Sequence, residues 1–264
     1  MKKIILILLG SGLCGCTSLS VFQPTVMNEI PEISSGTNLS SFDFGWTSGY
    51  NYTSTTDASR RPPLWDSSIK NDTSPSARAR FPVGKIPAEI IGGIFITGAL
   101  VMFKYQFLGP TINNAKKGDV SLAFLLQGST SSTSTKSGDQ NGLFGSGGNH
   151  WEAKISSNSL DTSLLLGVRA LDSLLLYTGG LASLSTVESK INQDRSTDGL
   201  SAGGHYEAGA HIQRSGPVLG LLFSMNQRVS LHIEGNYLSS NISEPGISLP
   251  AATNATASLR FDLN

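Results

Sequence analysis

The 264-residue chain offers few groups for chemistry: four histidines, His150, His205, His211 and His232, and two cysteines, Cys14 and Cys16. His232 stands between Ser230 and Glu234 at alternate positions, so on a strand these three side chains share one face. A nucleophile–base–carboxylate relay is set by geometry, and spacing alone is a weak signal for it. The plainer expectation is that His232 and Glu234 join an interior hydrogen-bond network with Arg260 or Glu207. His205 and His211 are six positions apart, roughly 20 Å along a strand, too far to share a metal. His211 and His232 could meet across neighbouring strands, but no third ligand is evident. Phosphate loops, nucleotide fingerprints and nucleophile elbows are absent from the sequence. No catalytic residue, metal or cofactor is expected.

Bulk composition narrows the class. Nineteen basic and nineteen acidic residues cancel, which argues against a nucleic-acid partner, since that requires a basic face. Charged residues make up only 14% of the chain and glycines number 29. That suits a β protein with polar loops, and also a barrel whose outer wall meets lipid. With no cysteine beyond Cys14 and Cys16, a disulfide framework is excluded.

The N-terminus carries Lys2 and Lys3, then an apolar stretch from Ile4 to Leu9, then small residues. This is the layout of a secretory signal, and it is too short for a spanning helix, which needs ~20 apolar residues. Leu13-Cys14-Gly15-Cys16 resembles the lipobox of bacterial lipoproteins. The resemblance implies cleavage before Cys16 and acylation of its sulfur. Thr17, in place of an Asp, is compatible with delivery to the outer membrane. The expected division is residues 1–15 as signal peptide, 16–38 as a lipidated N-terminal linker, and 39–264 as one β domain.

Beyond residue 38, apolar and polar residues alternate in segment after segment, the signature of strands. Phe42, Phe44, Trp46, Tyr50 and Tyr52 share one face. A second run spans residues 88–107, and a third starts at Asp119. The fourth, 150–169, begins with Trp151, Ala153 and Ile155 on the apolar face and ends with Leu164, Leu166 and Val168 there instead. A bulge around residues 157–161 would explain that change of phase. Further runs cover 173–187, 204–223, 229–237 and 256–263. The first of these is apolar on both faces at its start. Between the runs lie polar stretches at 53–80, 128–149, 188–203 and 240–251, and shorter links at 108–118, 170–172 and 225–228.

Eight strands joined alternately by long polar links and short turns suit a transmembrane barrel. Its interior charges would pair across the lumen, because unpaired buried charges are costly. The expected interior network is Lys104, Glu152, Lys154, Glu207, His211, His232, Glu234, Arg260 and Asp262. Segment 220–237 with its turn at Asn226–Arg228, and the terminal ATASLRFDLN, resemble the strand–turn–strand repeat and last strand of small outer-membrane barrels of the OmpA/OmpX type. The resemblance covers residues 39–264. It implies an all-β, eight-stranded, antiparallel up-and-down transmembrane β-barrel with long external loops. It implies outer-membrane lipids and the barrel-assembly machinery as partners. The N-terminal lipid anchor would lie on the periplasmic side.

The expected role is non-enzymatic, structural or surface-interacting, with the 53–80 and 128–149 stretches as contact loops. Eight strands leave an interior filled by side chains, so open diffusion is not expected. One rival is a lipid-tethered periplasmic β-sandwich or lipocalin-like barrel for a small apolar ligand. The other is a membrane-embedded lipid-modifying enzyme. Outer-membrane lipid A deacylases place a Ser two positions after a strand-borne His, and here that position is Glu234.

Overall fold

The computed structural model describes residues 16–24, 27, 29–34, 41–57, 64–137, 151–193, 204–242 and 251–263. They form eleven strands: β1 Cys16–Pro24, β2 Ser41–Asp57, β3 Leu64–Pro82, β4 Ala88–Phe95, β5 Gly98–Leu108, β6 Val120–Ser137, β7 Trp151–Leu171, β8 Leu174–Gln193, β9 Gly204–Ser224, β10 Val229–Ile242 and β11 Ala252–Asp262. Strands β2 to β11 pair in an antiparallel meander. β2 pairs with β3 on one edge and with β11 on the other, closing a ten-stranded barrel. Closure removes the free edges that an open sheet would expose.

The strand count is therefore ten in the wall, not eight. The stretch 53–80, expected as a loop, holds the top of β2 and most of β3. Ser74, Ser76, Arg78 and Arg80 there alternate with Pro75, Ala77, Ala79 and Phe81, a two-residue period hidden among polar neighbours. The run 88–107 is two strands, turned at Ile96-Thr97. Pairing across this turn sets Ile91 opposite Met102 and Ile90 opposite Phe103. Odd positions thus face inward on β4 and outward on β5, while the apolar alternation reads unbroken in sequence. β6 runs on into the Ser/Thr-rich stretch because β7 supplies a partner as far as Ser137↔Trp151.

One end of the barrel carries the links 83–87, 109–119, 172–173 and 225–228, together with the start of β2 and the end of β11. Gly109 and Gly118, at φ 105° and 93°, take left-handed conformations that side chains other than glycine disfavour. The other end carries the turn at 96–97 and the strand ends Asp57, Leu64, Ser137, Trp151, Gln193, Gly204, Ile242 and Ala252, between which the longer links run in sequence.

The outer wall changes character along its height. On β8 the outward positions are Leu174, Leu176, Thr178, Gly180, Ala182 and Leu184, followed by Thr186, Glu188, Lys190 and Asn192. On β7 they are Val168, Leu166, Leu164, Thr162 and Leu160, followed by Asn158, Ser156, Lys154 and Glu152. β9 changes in the same way between Pro217 and Ser215. An apolar belt thus surrounds the short-turn half, with Trp46 (59% exposed), Val101 (63%), Leu219 (65%) and Tyr237 (54%) bare on it. From Leu174 to Leu184 the belt measures ~33 Å along the strand, or ~25 Å in height at a tilt of ~40°. Above it stands a polar collar.

The inner face inverts in step. Inside the collar, Leu19, Val21, Tyr52, Ala153, Ile155, Val187, Ile191 and Ile212 form a buried apolar cluster. The bulge expected near residues 157–161 is therefore not there. β7 keeps continuous register with β6 and β8 through that region and shifts only between Arg169 and Leu171. What changes phase is the surroundings, since apolar side chains face out in the belt and in within the collar. Tyr50 and Tyr52, which share a pleat face in sequence with the outward Phe44 and Trp46, are buried. Arg214 lies 4.7 Å over the Tyr50 ring.

Candidate functional site

The lumen is occupied by the chain's own N-terminal segment. Residues 16–38 were expected to be a linker outside the barrel. Instead β1 pairs with the upper half of β2, from Cys16↔Asp57 to Pro24↔Gly49, on the edge that β11 leaves vacant. The described residues that follow, through Ser34, descend toward the short-turn end and are all buried. Three layers hold the segment. At the top, Leu19 and Val21 enter the collar cluster, and Phe22 packs edge-on to Phe95 with ring centroids 5.9 Å apart.

In the middle layer Gln23 meets a serine lining. Its amide nitrogen donates to Ser129 Oγ at 2.6 Å and Ser159 Oγ at 2.7 Å, and Ser157 Oγ donates to its carbonyl at 2.8 Å. Lower down the layer is ionic. Glu29 accepts from Arg80 Nη2 at 2.5 Å and Lys104 Nζ at 3.4 Å, with Arg78 Nη1 3.9 Å away. Glu32 takes a two-pronged contact from Arg169, Nη2 at 2.5 Å and Nε at 2.9 Å. Arg–carboxylate pairs of this form are the stronger ones. Ser34 receives Arg260 Nη2 at 2.6 Å, and its backbone N–H donates to Glu89 at 2.5 Å. The segment's exit is tied by the Ile112 N–H to the Ile33 carbonyl, 2.9 Å.

The described buried charges balance. The wall contributes six cations, Arg78, Arg80, Lys104, Arg169, Arg214 and Arg260, and four carboxylates, Asp43, Glu89, Asp161 and Glu234. Glu29 and Glu32 of the N-terminal segment supply the two negative charges that make the sum zero. Neutrality is what a lumen of low polarity demands.

Of the residues expected inside, Lys104, His232, Glu234 and Arg260 are buried in the lumen. Asp262 lies at the short-turn rim, 2.9 Å from Arg260 Nε. Glu152, Lys154, Glu207 and His211 are corrections, because they point outward from the collar. They belong to strand tops where water lies outside and the apolar cluster inside. There Glu207 bonds His205 at 2.8 Å and Lys190 at 3.1 Å, with Glu188 3.5 Å from the same ammonium. His211 and His232 lie on opposite sides of the wall and cannot meet. Among the described residues no three His, Cys, Asp or Glu side chains cluster as metal ligands.

His232 Nε2 lies 2.6 Å from the Tyr177 hydroxyl, which donates to Glu234 at 2.7 Å. Glu234 also accepts the Glu29 backbone N–H at 3.2 Å. Ser230 turns instead to Ser224, at 3.3 Å. The Ser230–His232 relay is thus not formed, and a Tyr–His–Glu network braces the segment from the wall. Gly220 stands opposite Tyr177, and a Cβ there would come within 2.1 Å of the tyrosine ring.

Sequence reasoning missed Gln23, Glu29 and Glu32, which sit in an aperiodic stretch with nothing to mark them. It also missed Arg78 and Arg80, for which the Ser-Pro-Ser-Ala-Arg-Ala-Arg-Phe alternation was an available signal. Cys16 is displaced as well. The register holds it beside Asp57, at the end opposite the short turns.

No protein-family model and no curated protein matches the chain. Among solved structures the chain is similar to Ail, the attachment invasion locus protein of Yersinia pestis. The two are 12% identical, with a TM-score of 0.28, over 86% of this chain and 98% of that one. It is also similar to the outer membrane protease OmpT of Escherichia coli, 13% identical, with a TM-score of 0.32, over 86% of this chain and 94% of that one. At such identities no residue of this chain takes a role from either protein.

Proposed function

We propose that the chain is an outer-membrane β-barrel lipoprotein with a structural or surface-interaction role and no catalytic one. The belt carries this reading. Aliphatic and aromatic side chains stay bare around a closed barrel while charges and amides are gathered inside. In water that arrangement would be unfavourable, whereas in a bilayer it is the required one. The belt's height of ~25 Å is that of outer-membrane barrels. Outer-membrane lipids are then its solvent, and the barrel-assembly machinery its route of insertion.

Short turns face the periplasm in such barrels and long links face outward. In that orientation the collar stands outside the cell and offers the contact surface, and acylation of Cys16 would put its lipid at the outer end. His232 and Glu234 are engaged through Tyr177, and Glu234 with the N-terminal segment, which suits bracing rather than turnover.

The test is the mature chain carrying Cys16→Ala. It should still require detergent and should migrate as a compact band on a gel unless boiled. A soluble, heat-insensitive product would reject the membrane reading. Mass analysis of the wild-type N-terminal peptide should show acylated Cys16, and an unmodified thiol would reject the lipoprotein part.

A further inference from the structure

We infer that the described N-terminal residues 19–24, 27 and 29–34 belong to a displaceable plug, and that the lumen behind them is an anion-conducting path. This rests on the membrane reading above and adds an activity to it. The segment pairs as a strand along one edge only, to β2. Below that it is held by the Ile112 N–H to the Ile33 carbonyl and by single hydrogen bonds and ion pairs to wall side chains. Its two acids are the only ones among the described buried charges that do not belong to the wall. With the segment in place the lumen is neutral. With it displaced, the wall keeps six cations against four carboxylates. Arg78, Arg80, Lys104 and Arg169 then lose the partners they share on Glu29 and Glu32. Arg80 keeps Asp43 and Lys104 keeps Glu89, so it is the net excess of positive charge on the wall that must be met by water and mobile anions, and rings of Arg and Lys select for anions in pores.

Space permits this. Withdrawing an extended peptide leaves a channel of about one strand's cross-section, ~5 Å by ~10 Å, wide enough for small hydrated anions. Ten strands also enclose more room than the eight that side chains alone fill.

The experiment is single-channel recording of the full mature chain in planar phosphatidylcholine bilayers under a potassium chloride gradient. Glu29→Gln combined with Glu32→Gln should raise the open probability roughly ten-fold, with a reversal potential of the sign set by chloride. Val21→Asp should give the same openings. It unseats β1 from the collar cluster, leaves the ionic layer untouched, and serves if the double variant fails to assemble. Adding Ser20→Cys and Thr53→Cys, which face each other across β1 and β2, should close the path when oxidised and reopen it on reduction.

Cation-selective openings, or openings indifferent to the disulfide, would overturn the inference. So would silence from variants that still show the compact unboiled band, while leaving the membrane reading intact. Loss of that band in the parent chain would overturn both.

Discussion

Arg80 is engaged from two sides in the interior. It contacts Glu29 on the N-terminal segment and Asp43 on β2, and is buried with both. Removing one partner of a buried ion pair strands the others without water, so Arg80→Ala should cost ~3–5 kcal/mol. The temperature at which the compact band disappears should fall accordingly. A collar residue behaves differently. Glu207 is exposed, and the hydrogen bond from His205, followed by that from Lys190, holds its carboxyl below the ordinary value of 4.5. A depressed carboxyl stabilises the fold above its unfolded pKa, and that contribution disappears as pH falls through the lowered value. In an NMR titration His205→Ala should move the Glu207 midpoint up toward the ordinary value. An unmoved midpoint would show that His205 does not hold it.

At the scale of the element, β7 states the fold's main rule. Its even positions face outward throughout, but they are apolar from Leu160 to Val168, Thr162 excepted, and polar from Glu152 to Asn158. A strand that leaves the bilayer keeps its pleat and exchanges its chemistry, because the outside solvent changes from lipid to water while the inside changes from charged to apolar. The phase change read in sequence as a bulge is thus a boundary marker. Leu164→Arg, in the belt, should destabilise the barrel by ~2–4 kcal/mol. Asn158→Arg, on the same face in the collar, should change stability by about 0.5 kcal/mol or less. Equal effects in reversible unfolding from lipid vesicles would place the boundary elsewhere.

For the whole molecule, closure depends on a short seam. β11 meets β2 only from Ala257↔Trp46 to Asp262↔Ser41, and above that point β2 turns to β1 instead. Gly45 lies in the seam, where a Cβ would fall 2.3 Å from the Ala257 carbonyl oxygen. Gly45→Val should prevent the strands from meeting and abolish the compact unboiled band. The N-terminal segment then acts as a second closure from within, joining β3, β4, β5, β7 and β10 through Glu29, Glu32 and Ser34.

The alternation of Val229 to Tyr237, of Ala257 to Leu263 and of the other runs was enough by itself to determine an antiparallel all-β chain with short turns at one end and long links at the other. Period-two patterning is a local property, written in each strand independently. Lys104, His232, Glu234 and Arg260 could be located the same way, because in the belt region polar means inward. The number of strands, the outward position of Glu152, Lys154, Glu207 and His211, and the course of residues 16–34 were decided by tertiary structure alone. Which side of a pleat is wet depends on height above the membrane. Whether Glu29 and Glu32 lie in solvent or in the lumen depends on cations carried by strands about 50 to 137 residues away in sequence, an interaction that no local pattern encodes.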